Sequence, residues 1–300
     1  MSPAAAANPT PPERVLLIAN PISGGGRGRI LAPALGAALA ARGVEAEVFL
    51  TTAAGDAARR AERAGDEPWD GLVALGGDGT VNEVLNGMPD PTRPLGVLPV
   101  GTANVLAIEL SLPRDVDGAA SVIAAGHRRE LAIGTCNGRR FLLFVGVGMD
   151  GAIVRRLSEV RTGTLGKHKW LGPLLHTAWH WPRPELTVSC DGGAPMTGVS
   201  SVLVTRVRNY GGIMSLPDAD RDSGELHVLA FHMRSRLSWL YHGLRATVGR
   251  LRGGRHLTIV RARTVRVDGI APFQIDGDYG GESPTDLALH PHPAQLFSPR

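Results

Sequence analysis

This chain of 300 residues is short of cysteine, lysine and long apolar runs, and each shortage removes a class of protein. Two cysteines, Cys136 and Cys190, form no disulfide framework and have no metal-ligand spacing, so a reduced, cytoplasmic setting is expected. No apolar stretch approaches the roughly 20 residues needed to cross a bilayer. Only two of the 32 basic residues are lysine, Lys167 and Lys169, and neither lies in the amino-terminal third. The Gly-x-x-x-x-Gly-Lys-Ser/Thr phosphate loop is therefore excluded there. The net charge of +4 and pI near 9.6 are mildly permissive for anionic partners. No recognised nucleic-acid motif accompanies that charge, so no nucleic-acid partner is expected. Residues 1–12 are rich in alanine and proline without a signal peptide's apolar centre, and read as a disordered leader.

What is present is glycine at strand ends. Leu72-Val73-Ala74-Leu75 runs into Gly76-Gly77-Asp78-Gly79-Thr80 and then Val81-Asn82-Glu83-Val84, a buried strand, a tight turn and the start of a helix. Glycines let backbone N–H groups face an anion, and the helix start adds its unsatisfied N–H groups and positive dipole end. Asp78 would repel phosphates unless a cation lay between, which makes Mg²⁺ with a nucleotide the economical reading. An earlier loop, Asn20-Pro21-Ile22-Ser23-Gly24-Gly25-Gly26-Arg27-Gly28-Arg29, follows the strand Val15–Ala19, and its arginines offer planar forks to phosphate. A third, Pro99-Val100-Gly101-Thr102-Ala103-Asn104, follows Leu95–Leu98. Thr51 and Thr52 close the second strand at the edge where ligands of parallel sheets bind, with Thr51 and Thr102 expected to line one pocket.

The coarse pattern divides near residue 127. Over residues 13–127, strands at about 14–19, 44–50, 70–75 and 94–98 alternate with helices, which predicts a parallel sheet covered on both faces. Residues 128–300 are strand-rich (129–135, 140–147, 184–190, 199–207, 225–232, 256–267, 271–276 and 285–290), which predicts an antiparallel, sandwich-like second domain. Gly146-x-Gly148-x-x-Gly151 fits a dinucleotide fingerprint, but its surroundings are antiparallel and no acid follows about 20 residues on, so it does not serve as one.

In that order and spacing, the three loops resemble the diacylglycerol kinase catalytic-domain family of soluble lipid kinases, related to sphingosine kinases. Gly146-Val147-Gly148-Met149-Asp150-Gly151-Ala152, Pro217-Asp218-Ala219 to Gly224, and Asp276-Gly277-Asp278 extend the likeness over about residues 13–299. The resemblance implies an ATP-dependent kinase acting on diacylglycerol or a related lipid alcohol, with ATP and Mg²⁺. Asn20, Ser23, Gly24, Arg27, Thr51, Gly76, Gly77, Asp78, Gly79, Thr80, Asn82, Glu83, Gly101, Thr102 and Asn104 would hold the nucleotide. Asp78 acts through Mg²⁺, Asp278 as the base, and Asp150 beside it at the mouth between domains. Plainer readings stand next to these: Asp150 as a helix N-cap, Asp276-Gly277 as a hairpin turn. The family carries glutamate where Asp278 stands.

The resemblance also implies a structural Mg²⁺, held by a carboxylate and two carbonyls. Here the carboxylate position is Ser223, and the carbonyls are those of Asp220 and Glu225. Serine is a poor substitute for a carboxylate on a hard cation, with Asp222 or the Asp220 side chain as rescuers. A lipid acceptor implies peripheral membrane contact at the inner face. Arg161, Lys167, Lys169 and Arg183 flank Trp170, Leu171, Leu174, Leu175, Trp179 and Trp181 in a stretch suited to it, equally readable as a core helix. His168, His176 and His180 there have no acidic or cysteine partner for a metal. A homodimer is left open. Two alternatives remain: an NAD kinase-like enzyme, which shares Gly-Gly-Asp-Gly, and a regulator that binds nucleotide or lipid without catalysis.

Overall fold

The computed structural model describes residues 9–159, 171–210, 214–216, 223–233 and 235–300. These form two compact units, one reaching to Leu131 and including His292–Arg300, the other spanning Ala132–Pro291.

In the first unit, β1 (Arg14–Ala19), α1 (Ser23–Ala40), β2 (Glu45–Leu50), α2 (Asp56–Arg63), β3 (Gly71–Gly76), α3 (Asp78–Gly87), β4 (Leu95–Pro99), α4 (Val105–Glu109) and α5 (Val116–Ala125) alternate as expected. They are followed by β5 (Arg128–Leu131). Val15 to Ala19 and Leu72 to Leu75 are all fully buried, because helices cover both faces of a parallel sheet. Val15, Leu17, Ala19, Val73 and Leu75 pack with Leu35 and Leu39 of α1 and Ala120 and Ile123 of α5.

The sheet order is β2-β1-β3-β4-β20-β5, where β20 (Ala294–Phe297) comes from the end of the chain. The expected 128–300 domain is corrected on this point. β20 runs parallel to β4 and antiparallel to β5, and Phe297 is buried in the first unit's core. The expected strand at 129–135 is likewise divided, its first half β5 in this sheet and its second half in the other unit.

The second unit is a sandwich of two antiparallel six-stranded sheets. One contains β6 (Gly134–Cys136), β7 (Arg139–Phe141), β9 (Leu186–Cys190), β10 (Met196–Val199), β16 (Thr264–Asp268) and β19 (Thr285–Leu289). The other contains β8 (Phe144–Val147), β11 (Ser201–Thr205), β14 (Leu226–Phe231), β15 (Leu257–Ala262), β17 (Pro272–Ile275) and β18 (Asp278–Glu282). A small hairpin, β12 (Asn209–Tyr210) with β13 (Met214–Ser215), and the helices α6 (Met149–Glu159), α7 (Leu171–His180) and α8 (Arg236–Thr247) complete the unit. Phe141, Val188, Val267 and Leu287 of one sheet meet Val145, Val204, Val228 and Phe273 of the other in one core.

The runs 140–147 and 256–267, expected as single strands, each cross from one sheet to the other. Both crossings are pinned by an aspartate in an Asp-Gly turn. Asp276 (φ 50°) accepts N–H bonds from Leu142, Leu143 and Phe144 at 2.8, 2.9 and 2.9 Å. Asp191 (φ 49°) accepts from Arg263 and Thr264 at 2.9 and 2.8 Å. Each carboxylate satisfies the peptide groups that a strand leaves orphaned on changing sheets.

Candidate active site

Parallel neighbours β1, β3 and β4 end on the same edge, so the three glycine loops emerge together. Their backbones touch. Asn20 N–H donates to the Leu75 carbonyl (2.9 Å), and Val100 N–H to that of Gly76 (2.8 Å). A Cβ on Gly101 would stand 2.6 Å from the Gly77 Cα, and one on Gly24 would stand 2.4 Å from the Val100 carbonyl oxygen. Only glycine permits that packing. Gly24, Gly25 and Gly26 have φ of 62°, 72° and 94°, so the right-handed turns of α1 begin after them. Space remains above the loops: a Cβ on Gly25, Gly26 or Gly79 would meet nothing within 4 Å. Arg27 and Arg29 are exposed on the first loop.

Asp78 is partly buried at the head of α3, but it caps a different helix. Its Oδ2 accepts the Val105 N–H (3.0 Å) and its Oδ1 that of Leu106 (3.1 Å), at the start of α4. Burial pushes its carboxyl above the usual range, against the lowering effect of those bonds. Each oxygen keeps a further lone pair, so the carboxylate still fits a cation held by a nucleotide. Asn104, left-handed at φ 48°, donates to the Gly101 carbonyl (2.7 Å), and its own Oδ1 is buried with no partner. An orphaned acceptor in a glycine loop fits a bound group that donates to it.

Other expected residues are placed differently. Thr80 packs against Gly76, whose Cβ would come 2.3 Å from the Thr80 hydroxyl. Asn82 is buried and accepts from Asn86 (3.1 Å), so it builds α3 rather than the loop surface. Glu83 lies one position further along α3. Asn20 Oδ1 accepts the Ile22 N–H (3.1 Å), which shapes the first loop just before Ser23. Thr52 is tied to Asp56 through both its N–H (2.7 Å) and hydroxyl (2.6 Å), which leaves Thr51 as the threonine at the end of β2; Thr102 is exposed on the third loop.

In the second unit Asp150 stands near the start of α6, which follows β8. Gly146 makes room for it, because a Cβ there would fall 1.8 Å from Asp150 Oδ2. Gly151 brings α6 against the backbone of β17, where a Cβ would meet the Pro272 carbonyl at 2.2 Å. The false dinucleotide fingerprint is thus a packing motif that seats a carboxylate. Asp150 Oδ1 accepts the Tyr210 hydroxyl, and Oδ2 accepts the Gln274 amide at 2.6 Å. Burial holds the Asp150 carboxyl above its ordinary range and raises the Tyr210 hydroxyl well above its own.

Gln274, fully buried, extends this network, its Oε1 accepting the Gly277 N–H at 2.7 Å. Gly277 closes the Asp276-Gly277 turn, and Asp278 opens β18 directly after it, paired with Arg139 at 2.7 Å. Asp276 is therefore structural, and Asp278 sits on a turn that Gln274 links to Asp150. Tyr210, Gln274 and Arg139 were not anticipated. A glutamine inside the apolar strand Pro272–Ile275 is the one signal that sequence offered.

The expected structural-metal residues are only partly described. Asp220 and Asp222 lie outside the described residues, and among the described residues no cluster of three acidic, histidine or cysteine side chains could hold an ion. The Glu225 carbonyl instead accepts from Arg206, whose guanidinium also donates to the carbonyls of Ser223 (2.9 Å) and Ala132 (3.2 Å). Arg206 is fully buried. The Glu225 carbonyl named in that expectation is thus already bonded to a side-chain cation.

Of the expected membrane stretch, Arg161, Lys167, Lys169, Trp170 and His168 lie outside the described residues. Trp179 is exposed and Trp181 buried. Among the described residues no helix is long and apolar enough to cross a membrane.

A glycine-loop α/β unit followed by an antiparallel sandwich with a partly buried carboxylate network defines a recognisable class of two-unit kinases. Residues 14–136 match the model of the diacylglycerol kinase catalytic domain, and residues 144–298 that of the YegS C-terminal NAD kinase beta sandwich-like domain. The chain is 30% identical over 301 residues to a diacylglycerol kinase of Staphylococcus aureus (strain bovine RF122 / ET3-1), covering 96% of this chain and 93% of that one. It is 29% identical to a diacylglycerol kinase of Staphylococcus carnosus (strain TM300), covering 96% of each. The crystal structure of a diacylglycerol kinase from Bacillus anthracis str. Sterne shares the fold, with a TM-score of 0.73 at 23% identity over 97% of this chain and 98% of that one. The chain belongs to the diacylglycerol kinase family.

Proposed function

We propose that this protein transfers the γ-phosphoryl group of ATP to the hydroxyl of diacylglycerol or a related lipid alcohol. The observation that carries this reading is the joining of three glycine loops at one sheet edge, with open space above Gly25, Gly26 and Gly79. Phosphoryl transfer asks chiefly for positioning and charge stabilisation. Backbone N–H groups of the loops, with Arg27, position the phosphates. The Asp78 carboxylate would hold Mg²⁺, which supplies charge neutralisation when bound. In the transfer the bond between the β–γ bridging oxygen and the γ-phosphorus breaks and the bond from the lipid oxygen forms. The hydroxyl proton passes to Asp278, with Asp150 aligned through Gln274. The acceptor lives in a bilayer, so the protein works as a peripheral enzyme at the inner membrane face.

The decisive experiment incubates the protein with lipid extract, NAD and labelled ATP, followed by thin-layer chromatography. Labelled phospholipid is expected. Labelled NADP would favour the NAD kinase-like alternative, and no labelled product the regulator.

A further inference from the structure

From Leu226 to Val267 the chain carries nine arginines and no acidic residue, a gap in negative charge that holds nowhere else over such a length. α8 lies inside this segment. Its start is fixed by a capping box between Ser235 and Ser238, and His242 and Ala246 face inward. The other face is apolar and open: Tyr241 is 54% exposed, Leu244 65% and Val248, just past the helix end, 58%. Positions i, i+3 and i+7 share one side of a helix, so these form a stripe. Arg245 lies along it, donating to the Tyr241 hydroxyl at 2.7 Å with its guanidinium 5.4 Å from the ring centroid. Arg250, Arg252 and Arg255 follow, all exposed, with no ion pair among the described residues. A recess of about 440 Å³ opens beside them, with Arg208 and Arg252 among polar walls and Leu216, Leu251 and Ile259 among apolar ones.

We infer that the Tyr241–Leu244–Val248 face and the arginine loop after it dock on a lipid surface bearing anionic headgroups. This rests on the lipid-alcohol reading above and places the membrane contact on α8. Charge complementarity argues for that partner, since arginines with no ion pair among the described residues attract an anionic leaflet within a Debye length. The apolar stripe selects lipid over nucleic acid: a phosphate backbone satisfies arginines but gives Leu244 and Val248 nothing to bury in, whereas the acyl boundary takes both. Arginine stems lying along an apolar face while their heads reach phosphates complete the fit.

Co-sedimentation of the full chain with vesicles tests it, using phosphatidylcholine alone and phosphatidylcholine mixed with phosphatidylglycerol. Binding is expected to the mixed vesicles only and to weaken with salt. The pair Leu244→Glu and Val248→Glu should lower affinity at least tenfold, and the milder pair Leu244→Ser and Val248→Ser should lower it less, with melting temperatures unchanged. Replacing Arg250, Arg252 and Arg255 with glutamine should cost about fivefold per arginine, the change that ~1 kcal/mol gives. Undiminished binding of the glutamate pair to mixed vesicles would overturn the inference. So would sensitivity to the arginines alone, accompanied by equal affinity for duplex DNA. Phosphorylation of a dispersed short-chain diacylglycerol, measured in parallel, separates the two readings. If no lipid alcohol is phosphorylated while vesicle binding still depends on α8, the kinase reading falls and the docking surface stands.

Discussion

The two units build their candidate sites from different materials. The first uses backbone: three loops packed glycine to glycine, with a carboxylate, Asp78, employed in capping α4. The second uses side chains: Asp150, Tyr210 and Gln274 in one partly buried network that reaches the turn carrying Asp278. Backbone sites bind whatever presents phosphate and tolerate little change at glycine. Side-chain networks tune proton affinity and tolerate substitution at a cost in rate. Binding should therefore fail when the first unit is altered, and turnover when the second is.

The largest effect is expected at Gly79. A Cβ there would meet no atom within 4 Å, so the fold should survive a valine while ATP loses its approach to the loop. Calorimetry should show ATP affinity reduced more than 100-fold, on the order of 3 kcal/mol or more, with melting unchanged. Unaltered affinity in a folded Gly79→Val would detach the nucleotide from this edge.

Next come the carboxylates. Asp150→Asn and Asp278→Asn should each lower kcat by roughly 10²-fold, the scale of general-base catalysis, with ATP affinity little changed. Their effects should be non-additive, since Gln274 couples them, and Asp278→Glu should keep substantial activity. Asp150 adds a pH signature. Its folded pKa is raised, so its contribution to stability is complete below the unfolded value near 3.9 and is lost as pH rises through the folded value. The wild type should therefore lose melting temperature relative to Asp150→Asn between acid and neutral pH. A constant difference across that range would show that Asp150 does not titrate as its burial requires.

Tyr210→Phe should have a smaller consequence, about tenfold in kcat. Removing the hydroxyl that donates to Asp150 takes away a bond that favours the ionised form, so the pH profile of melting temperature set by Asp150 should move to higher pH. An unmoved profile would make Tyr210 a packing residue against Phe144, whose ring centroid lies 4.6 Å away.

The smallest expected effect is none. With Arg206 bonded to the carbonyls of Ser223 and Glu225, a chelator should leave the melting temperature of the second unit unchanged. A chelator-induced drop of several degrees would restore a structural ion.

The glycine loops and parallel strands were legible because each strand–turn–helix junction is local in sequence. Asp78 was legible as the carboxylate of a glycine turn but not as the cap of α4, since that partnership spans 27 residues. The crossings at Leu142–Leu143 and Arg263 were hidden because apolar alternation continues through them, while the aspartates that pin them lie far away in the chain. Ser223 was legible as a departure from the family's carboxylate. Arg206, one arginine among thirty, gave no local sign of its role. Gln274 was visible only as polarity inside an apolar strand.

The strand β20 has a consequence for synthesis. It joins β4 to β5 in the first unit's sheet, yet it is made about 160 residues after β5 leaves the ribosome. Domains emerging from the ribosome generally fold in order as they appear, and pairings distant in sequence form late. Here the sheet that carries the glycine loops stays unfinished, with the edges of β4 and β5 unjoined, until the whole sandwich has been translated. A nascent chain halted at residue 291 would carry all the glycine loops on an open sheet, so ATP capture should mature only after release.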